Sequence, residues 1–154
     1  MRDKRFIAEH RGGPLKKEQH HLLMEWASGS AEHVLYLFGE PIDERLINAL
    51  DVAHKWNEGN ISVGDARKAS VAAIKVAKES SNLIGTLVAR SVGHAVATAH
   101  MADHSLVAAW YALKAVKKAD KSVDTERTWQ DNQLPLDIKE LVLSARKVKR
   151  FEKI

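Results

Sequence analysis

Three histidines and one aspartate make the densest concentration of reactive side chains in this 154-residue chain. They are His94, His100, Asp103 and His104, in the run Gly93-His94-Ala95-Val96-Ala97-Thr98-Ala99-His100-Met101-Ala102-Asp103-His104. On a continuous helix His100, Asp103 and His104 stand at i, i+3 and i+4 and share one face. Imidazole and carboxylate at that spacing can ligate zinc or non-haem iron, with His94 as a further candidate. His94 is turned from that face by roughly a quarter to a third of a turn, which weakens a joint role. The competing expectation is structural: Asp103 caps a helix, and the histidines hydrogen-bond among closely packed helices. The structural reading is preferred, because the set lacks the flanking carboxylates of established helical metal motifs. A metal-binding helical protein, or a metal-dependent enzyme using His100, Asp103 and His104, stays as the alternative.

Elsewhere the chemistry is thin. Glu9-His10-Arg11-Gly12-Gly13-Pro14 could cradle an anion, but no Gly-Lys-Ser/Thr comes after it, so it is no P-loop. It reads as a turn that docks residues 1–14 ahead of the first helix. No nucleophile elbow, dinucleotide fingerprint or His-Glu-x-x-His occurs. Cysteine is absent, which removes thiol catalysis, thiolate metal sites and disulfides, and agrees with a reducing cytoplasm. The charged start holds no signal-peptide core, and the longest weakly charged run, 91–113, contains three histidines and Asp103, so no membrane span is expected. No catalytic residue, metal or cofactor is expected, and the class indicated is a cytoplasmic non-enzyme.

Charge is more informative. The net +4 divides unevenly: Leu15–Asn60 holds four Lys/Arg against eight Asp/Glu, and the rest of the chain sums to +8. Glu18, Glu25, Glu32, Asp43, Glu44, Asp51 and Glu58 concentrate the negative charge, and Asp43, Glu44 and Asp51 are the candidates for meeting a basic protein partner. Complementary fields of this kind speed encounter. The last segment, 137–154, is basic, with six Lys/Arg against three Asp/Glu. Nucleic acid is not expected as a partner, because no aromatic residue interleaves with those cations before Phe151.

The elements that must position these residues read as helices throughout. Leu15–Phe38 carries Leu22, Leu23, Trp26, Val34, Leu37 and Phe38 near a 3.6-residue period, with Gly29 as a possible break into two. Pro41 and Asp43 open a helix to about Trp56 with Leu46, Ile47, Leu50 and Ala53 inward, and Glu58-Gly59-Asn60 stops it. Ser62 with Asp65 is an approximate capping box for a helix to about Lys78. The stretch 82–119 is apolar almost all round and rich in alanine, the mark of helices inside a bundle. About 38 helical residues at 1.5 Å each would span about 57 Å, too long for a small domain, so a break at Asp103 is expected. Asp124–Asn132 and a helix past Pro135 complete the chain. Trp26 and Trp56 are expected in the core, Trp110 fully buried, and Trp129 either as the anchor of its short helix (preferred) or as a partner contact. The fold class is an all-α bundle of six or seven helices around an Ala-rich central pair. It is one domain over residues 1–154, with a helical bundle over 15–149 and a tail at 150–154.

The segments Arg5–Leu15, Ala31–Leu35, Ala66–Ala69, Gly93–His100, Ala102–His104 and Tyr111–Val116 together resemble the putative immunity protein family of bacterial polymorphic toxin systems. The resemblance spans Arg5 to about Ala145, and the Gly-His-Ala-Val-Ala-Thr-Ala-His-x-Ala-Asp-His run is its most specific part. It implies a small all-helical cytoplasmic protein that neutralises a cognate toxin by binding it, and it assigns no catalytic residue.

Overall fold

Four helices begin where a short polar side chain accepts a hydrogen bond from a backbone N–H of the first turn: Asp43 from Arg45, Ser62 from Asp65, Asn82 from Ile84 and Ser122 from Thr125. The computed structural model describes residues 2–154. Its α-helices are α1 (Lys17–His33), α2 (Glu44–Asn57), α3 (Val63–Glu79), α4 (Leu83–Ala97), α5 (His104–Lys118), α6 (Val123–Asn132), α7 (Leu136–Ala145) and α8 (Lys149–Glu152), the last a single turn. Among the described residues there is no strand, only an isolated bridge between Ala8 and Leu15. The all-α architecture is therefore the one expected from the hydrophobic periodicity, with seven helices of useful length and a terminal turn.

Helix α1 runs unbroken through Gly29, whose position opens onto empty space. The helix ends at His33, and a 3₁₀ turn over Leu35–Phe38 finishes the segment. One glycine costs a helix interior about 1 kcal/mol, which packing of Leu23, Met24, Trp26 and Ala27 outweighs.

Helix α4 lies at the centre and touches α1, α2, α3 and α5. Small residues let its neighbours come close: a Cβ at Gly93 would sit 2.6 Å from Ile74 Cδ1 on α3. The buried hydroxyls at these crossings are satisfied across helices. Ser70 donates to Gly93 O at 2.9 Å and Ser91 to Ala108 O at 2.8 Å. One apolar cluster joins α1 to α4, from Met24 and Ala27 through Leu46 and Val76 to Val92 and Val96. A second joins the N-terminal segment to α1, α5 and α7 through Phe6, Leu15, Leu23, Leu106, Ile138 and Val142.

The N-terminal segment docks as its glycine turn implies. Glu9 N–H donates to Leu15 O and Leu15 N–H to Ile7 O, and Gly13 passes so close to Ile7 O that any Cβ would lie 2.1 Å from it.

Three packing expectations need correction. Ile47 is not inward: it is 52% exposed. Trp110 is only half-buried, on an outer stripe with Tyr111, Lys114 and Val107, so the α4–α5 pair is not apolar all round. Asp103 stands just before α5 but makes no side-chain cap. Trp26, by contrast, is buried and donates from Nε1 to Gln130 O at 2.8 Å, while Trp56 is half-buried against the His20 and His21 rings.

Candidate functional site

The break between α4 and α5 falls over residues 98–103, and it decides what the histidine motif can do. Because no single helix contains His100, Asp103 and His104, the i, i+3, i+4 face does not form. Asp103 turns outward instead and accepts two hydrogen bonds from Arg2, from Nε at 2.6 Å and from the guanidinium terminus at 3.0 Å. Its expected helix cap is replaced by this ion pair, to a residue 101 positions away that no local pattern could reveal.

The histidines do gather. His94 Nδ1 and His104 Nδ1 lie 2.9 Å apart, the His100 ring packs beside His104 at 5.2 Å, and Tyr111 stacks on His94 at 5.5 Å. Burial pushes the His94 pKa down to about 4, helped by His104, Arg150 and Arg90; His100 is pushed to about 4 by burial and then by His104 and three arginines. Burial lowers His104 as well, against the opposing pull of Asp103. A neutral imidazole with so low a pKa is a poor general base at neutral pH, where a value near 7 works best. Among the described residues no group of three or more His, Asp or Glu side chains converges to hold a metal ion. Among the described residues His100 Nδ1 is buried with no hydrogen-bond partner. His20 braces the same corner from α1, donating from Nε2 to Thr98 O at 2.6 Å.

The acidic candidates are disposed differently. Asp43 caps α2 and holds Arg45 through both carboxylate oxygens, at 3.0 and 2.8 Å, so its charge is largely spent inside the fold. Arg45 also reaches Glu79 on α3 at 2.9 Å. Glu44 and Asp51 are seven residues apart and exposed on the same side of α2, in line with Glu58 and beside Ile47. Of these Asp51 alone forms an ion pair among the described residues, with Lys55 at 2.9 Å.

Next to this stripe, α1, α2 and α6 enclose a groove of about 300 Å³ lined by Glu25, Trp26, Gly29, Glu32, His54 and Trp129. His54 holds Glu32 at 2.6 Å, while Glu25 makes no ion pair among the described residues. Trp129 forms one wall. Its ring lies flat on His33 at 3.5 Å between centroids and 4° between planes, and His33 Nδ1 contacts Glu126 at 2.5 Å. Trp129 is thus the anchor of α6, as expected. The groove itself was hidden in the sequence. Its only signal is the Glu25-x-x-x-Gly29-x-x-Glu32 spacing, which puts two carboxylates on one face with a gap between them.

Compared with protein-family models, residues 13–137 match the family described as Imm-5 like putative immunity protein. The chain belongs to that family. The match begins at the end of the docking turn, takes in α1 to α6, the histidine corner and the whole acidic face, and stops at the first turn of α7. Neither the curated proteins nor the solved structures yield a match to this immunity-family chain.

Proposed function

We propose that this immunity-family protein acts in the cytoplasm, without catalysis and as one folding unit, by binding a cognate toxin protein and covering its working surface. The observation that carries the reading is the family match over residues 13–137. The docking face proposed is the outer side of α1 and α2: the Glu44–Asp51–Glu58 stripe with exposed Ile47 at its edge, and the groove between Glu25 and Glu32. Two carboxylates beside an indole wall suit a lysine or arginine side chain, and the surrounding negative field suits a basic toxin such as one that must bind phosphate. Among the described residues no helix is long and apolar enough to cross a membrane.

The test uses a secreted toxin encoded beside this chain's own gene, with association measured at low and at moderate salt. Glu44→Lys with Asp51→Lys should slow association about tenfold or more at low salt and less at moderate salt. Asp43 is left intact there, because its cap and Arg45 pair would confound binding with folding. Gly29→Leu, which fills the groove without burdening the helix, should raise the dissociation rate. A toxin that associates equally fast with the charge-reversed and the original protein at low salt removes the proposed face.

A further inference from the structure

The surface where α4, α5 and α8 meet has a different chemistry from the acidic face. Four rings succeed one another across it. His94 on α4 stacks on Tyr111 of α5 with 18° between planes, Tyr111 neighbours Trp110 at 5.2 Å, and Trp110 meets Phe151 of α8 edge-on at 6.1 Å. Three cations, one from each helix, lie on those rings. Lys114 Nζ is 3.9 Å from the Trp110 centroid, Arg150 is 5.5 Å from the same ring, and Arg90 is 5.8 Å from Tyr111. Among the described residues none of the three has a carboxylate within ion-pair distance. The acid of α8, Glu152, lines a separate cavity with Arg127 and Arg146. Asp103, the nearest acid to the histidines, is occupied by Arg2.

The basic last segment lacks aromatic residues of its own before Phe151, but the fold sets Trp110 and Tyr111 of α5 beside it. Unpaired cations alternating with half-exposed rings match what a single nucleic-acid strand presents, phosphates for the cations and base faces for the rings. An acidic peptide would use the cations and leave the rings idle. A duplex would hide its base faces. We infer that the α4–α5–α8 surface binds single-stranded nucleic acid, with Arg90, Lys114 and Arg150 on phosphates and Trp110 and Tyr111 against bases.

The probe is a short fluorescein-labelled oligo-dT strand, titrated with the full chain and read by anisotropy and by tryptophan quenching. Three phosphate contacts predict a log–log salt slope of about −2, so affinity should fall roughly fifteen- to twenty-fold between about 50 and 200 mM salt. Arg90→Ala with Lys114→Ala and Arg150→Ala should weaken binding at least about tenfold and flatten the slope. Tyr111→Leu should weaken binding about tenfold with the slope kept, because stacking carries no charge. Glu44→Lys with Asp51→Lys, on the acidic face, should not weaken it. All variants lie on the exposed stripe or surface, and circular dichroism and melting confirm each fold before titration. Absence of binding at about 50 mM salt, full binding by the triple variant, or equal competition by polyglutamate of matched charge would each overturn the assignment.

Discussion

His94 and His104 meet through their Nδ1 atoms, so one ring must offer a proton and the other a lone pair, an arrangement open to neutral imidazoles. Protonating both would set two buried cations 2.9 Å apart. The folded-state values of His94 and His100, near 4, lie below the ordinary 6.5. Between those limits the unfolded chain takes up protons that the folded chain refuses, so stability is full above pH 6.5 and lost as pH falls toward 4. After allowance for partial exposure, the loss is expected to be roughly 1–2 kcal/mol, or about 2–8 °C in Tm. Melting at pH 7 and pH 4.5 reads it, and His94→Gln should shrink the difference. Asp103 belongs at this scale too. Because it holds a partly exposed Arg2 and caps nothing, Asp103→Ala should cost no more than about 1 kcal/mol. A larger loss in denaturant melts would restore it as a structural cap. Trp110→Ala should cost about 2–3 kcal/mol, less than for a fully buried tryptophan, since part of its surface stays outside the core under Lys114.

Two glycines separate propensity from packing at the level of helices. Gly29 sits in α1 with open space where a Cβ would go, so Gly29→Ala should stabilise by about 0.5–1 kcal/mol. Gly93 lies in α4 against Ile74, and Gly93→Leu should cost about 1–3 kcal/mol through overpacking despite leucine's better helix propensity. Opposite signs in parallel urea titrations are the expected result; stabilisation at both sites would show that α3 and α4 are not this close, and destabilisation at both that Gly29 is not in open space. Helix α6 is held at Gln130 and Asp131 by hydrogen bonds from Trp26 and Arg146, and on its outer side by the Trp129–His33 stack. Removing it by Trp129→Ala should speed amide exchange within α6 while α4 stays protected, because α4 is enclosed by α1, α2, α3 and α5.

Across the whole molecule, the two main apolar clusters both draw on α1 and α5. Neither can melt without exposing residues of the other, so a single unfolding transition is expected, with coincident far-UV and tryptophan signals. Charge divides along the same architecture. The acidic excess of residues 15–60 is carried by α1 and by Glu40, Asp43 and Glu58 at the two ends of α2, which is itself neutral, whereas Arg90, Lys114 and Arg150 gather on α4, α5 and α8. Arg146 is the exception among the C-terminal cations: it is desolvated, its pKa is pushed down to about 10, and it donates to Gln130 and Asp131, which ties α7 to α6.

The helices, some of their starts and the central place of the Ala-rich stretch were legible in the sequence, because capping and apolar periodicity act within a few residues. Asp43 and Ser62, read as helix starts, cap α2 and α3 through neighbours two or three positions on, and Gly59 ends α2 with φ +80°. The caps at Asn82 and Ser122 went unread, and α6 begins before the expected Asp124. The negative sign of the 15–60 region was equally plain. What each charge and ring does was decided only by tertiary contacts. Asp43 and Asp51 read alike in sequence, yet Asp43 is consumed by Arg45 and Asp51 faces outward. The i, i+3, i+4 spacing of His100, Asp103 and His104 promised a shared face that the break before α5 removes, and Asp103 finds Arg2 from the far end of the chain. Trp110 reads as core from its apolar neighbours, but its ring falls on the outer stripe of α5, beside the cations of α8. Such pairings join residues tens of positions apart, where no local backbone preference reaches and only the packing of whole helices selects the partner.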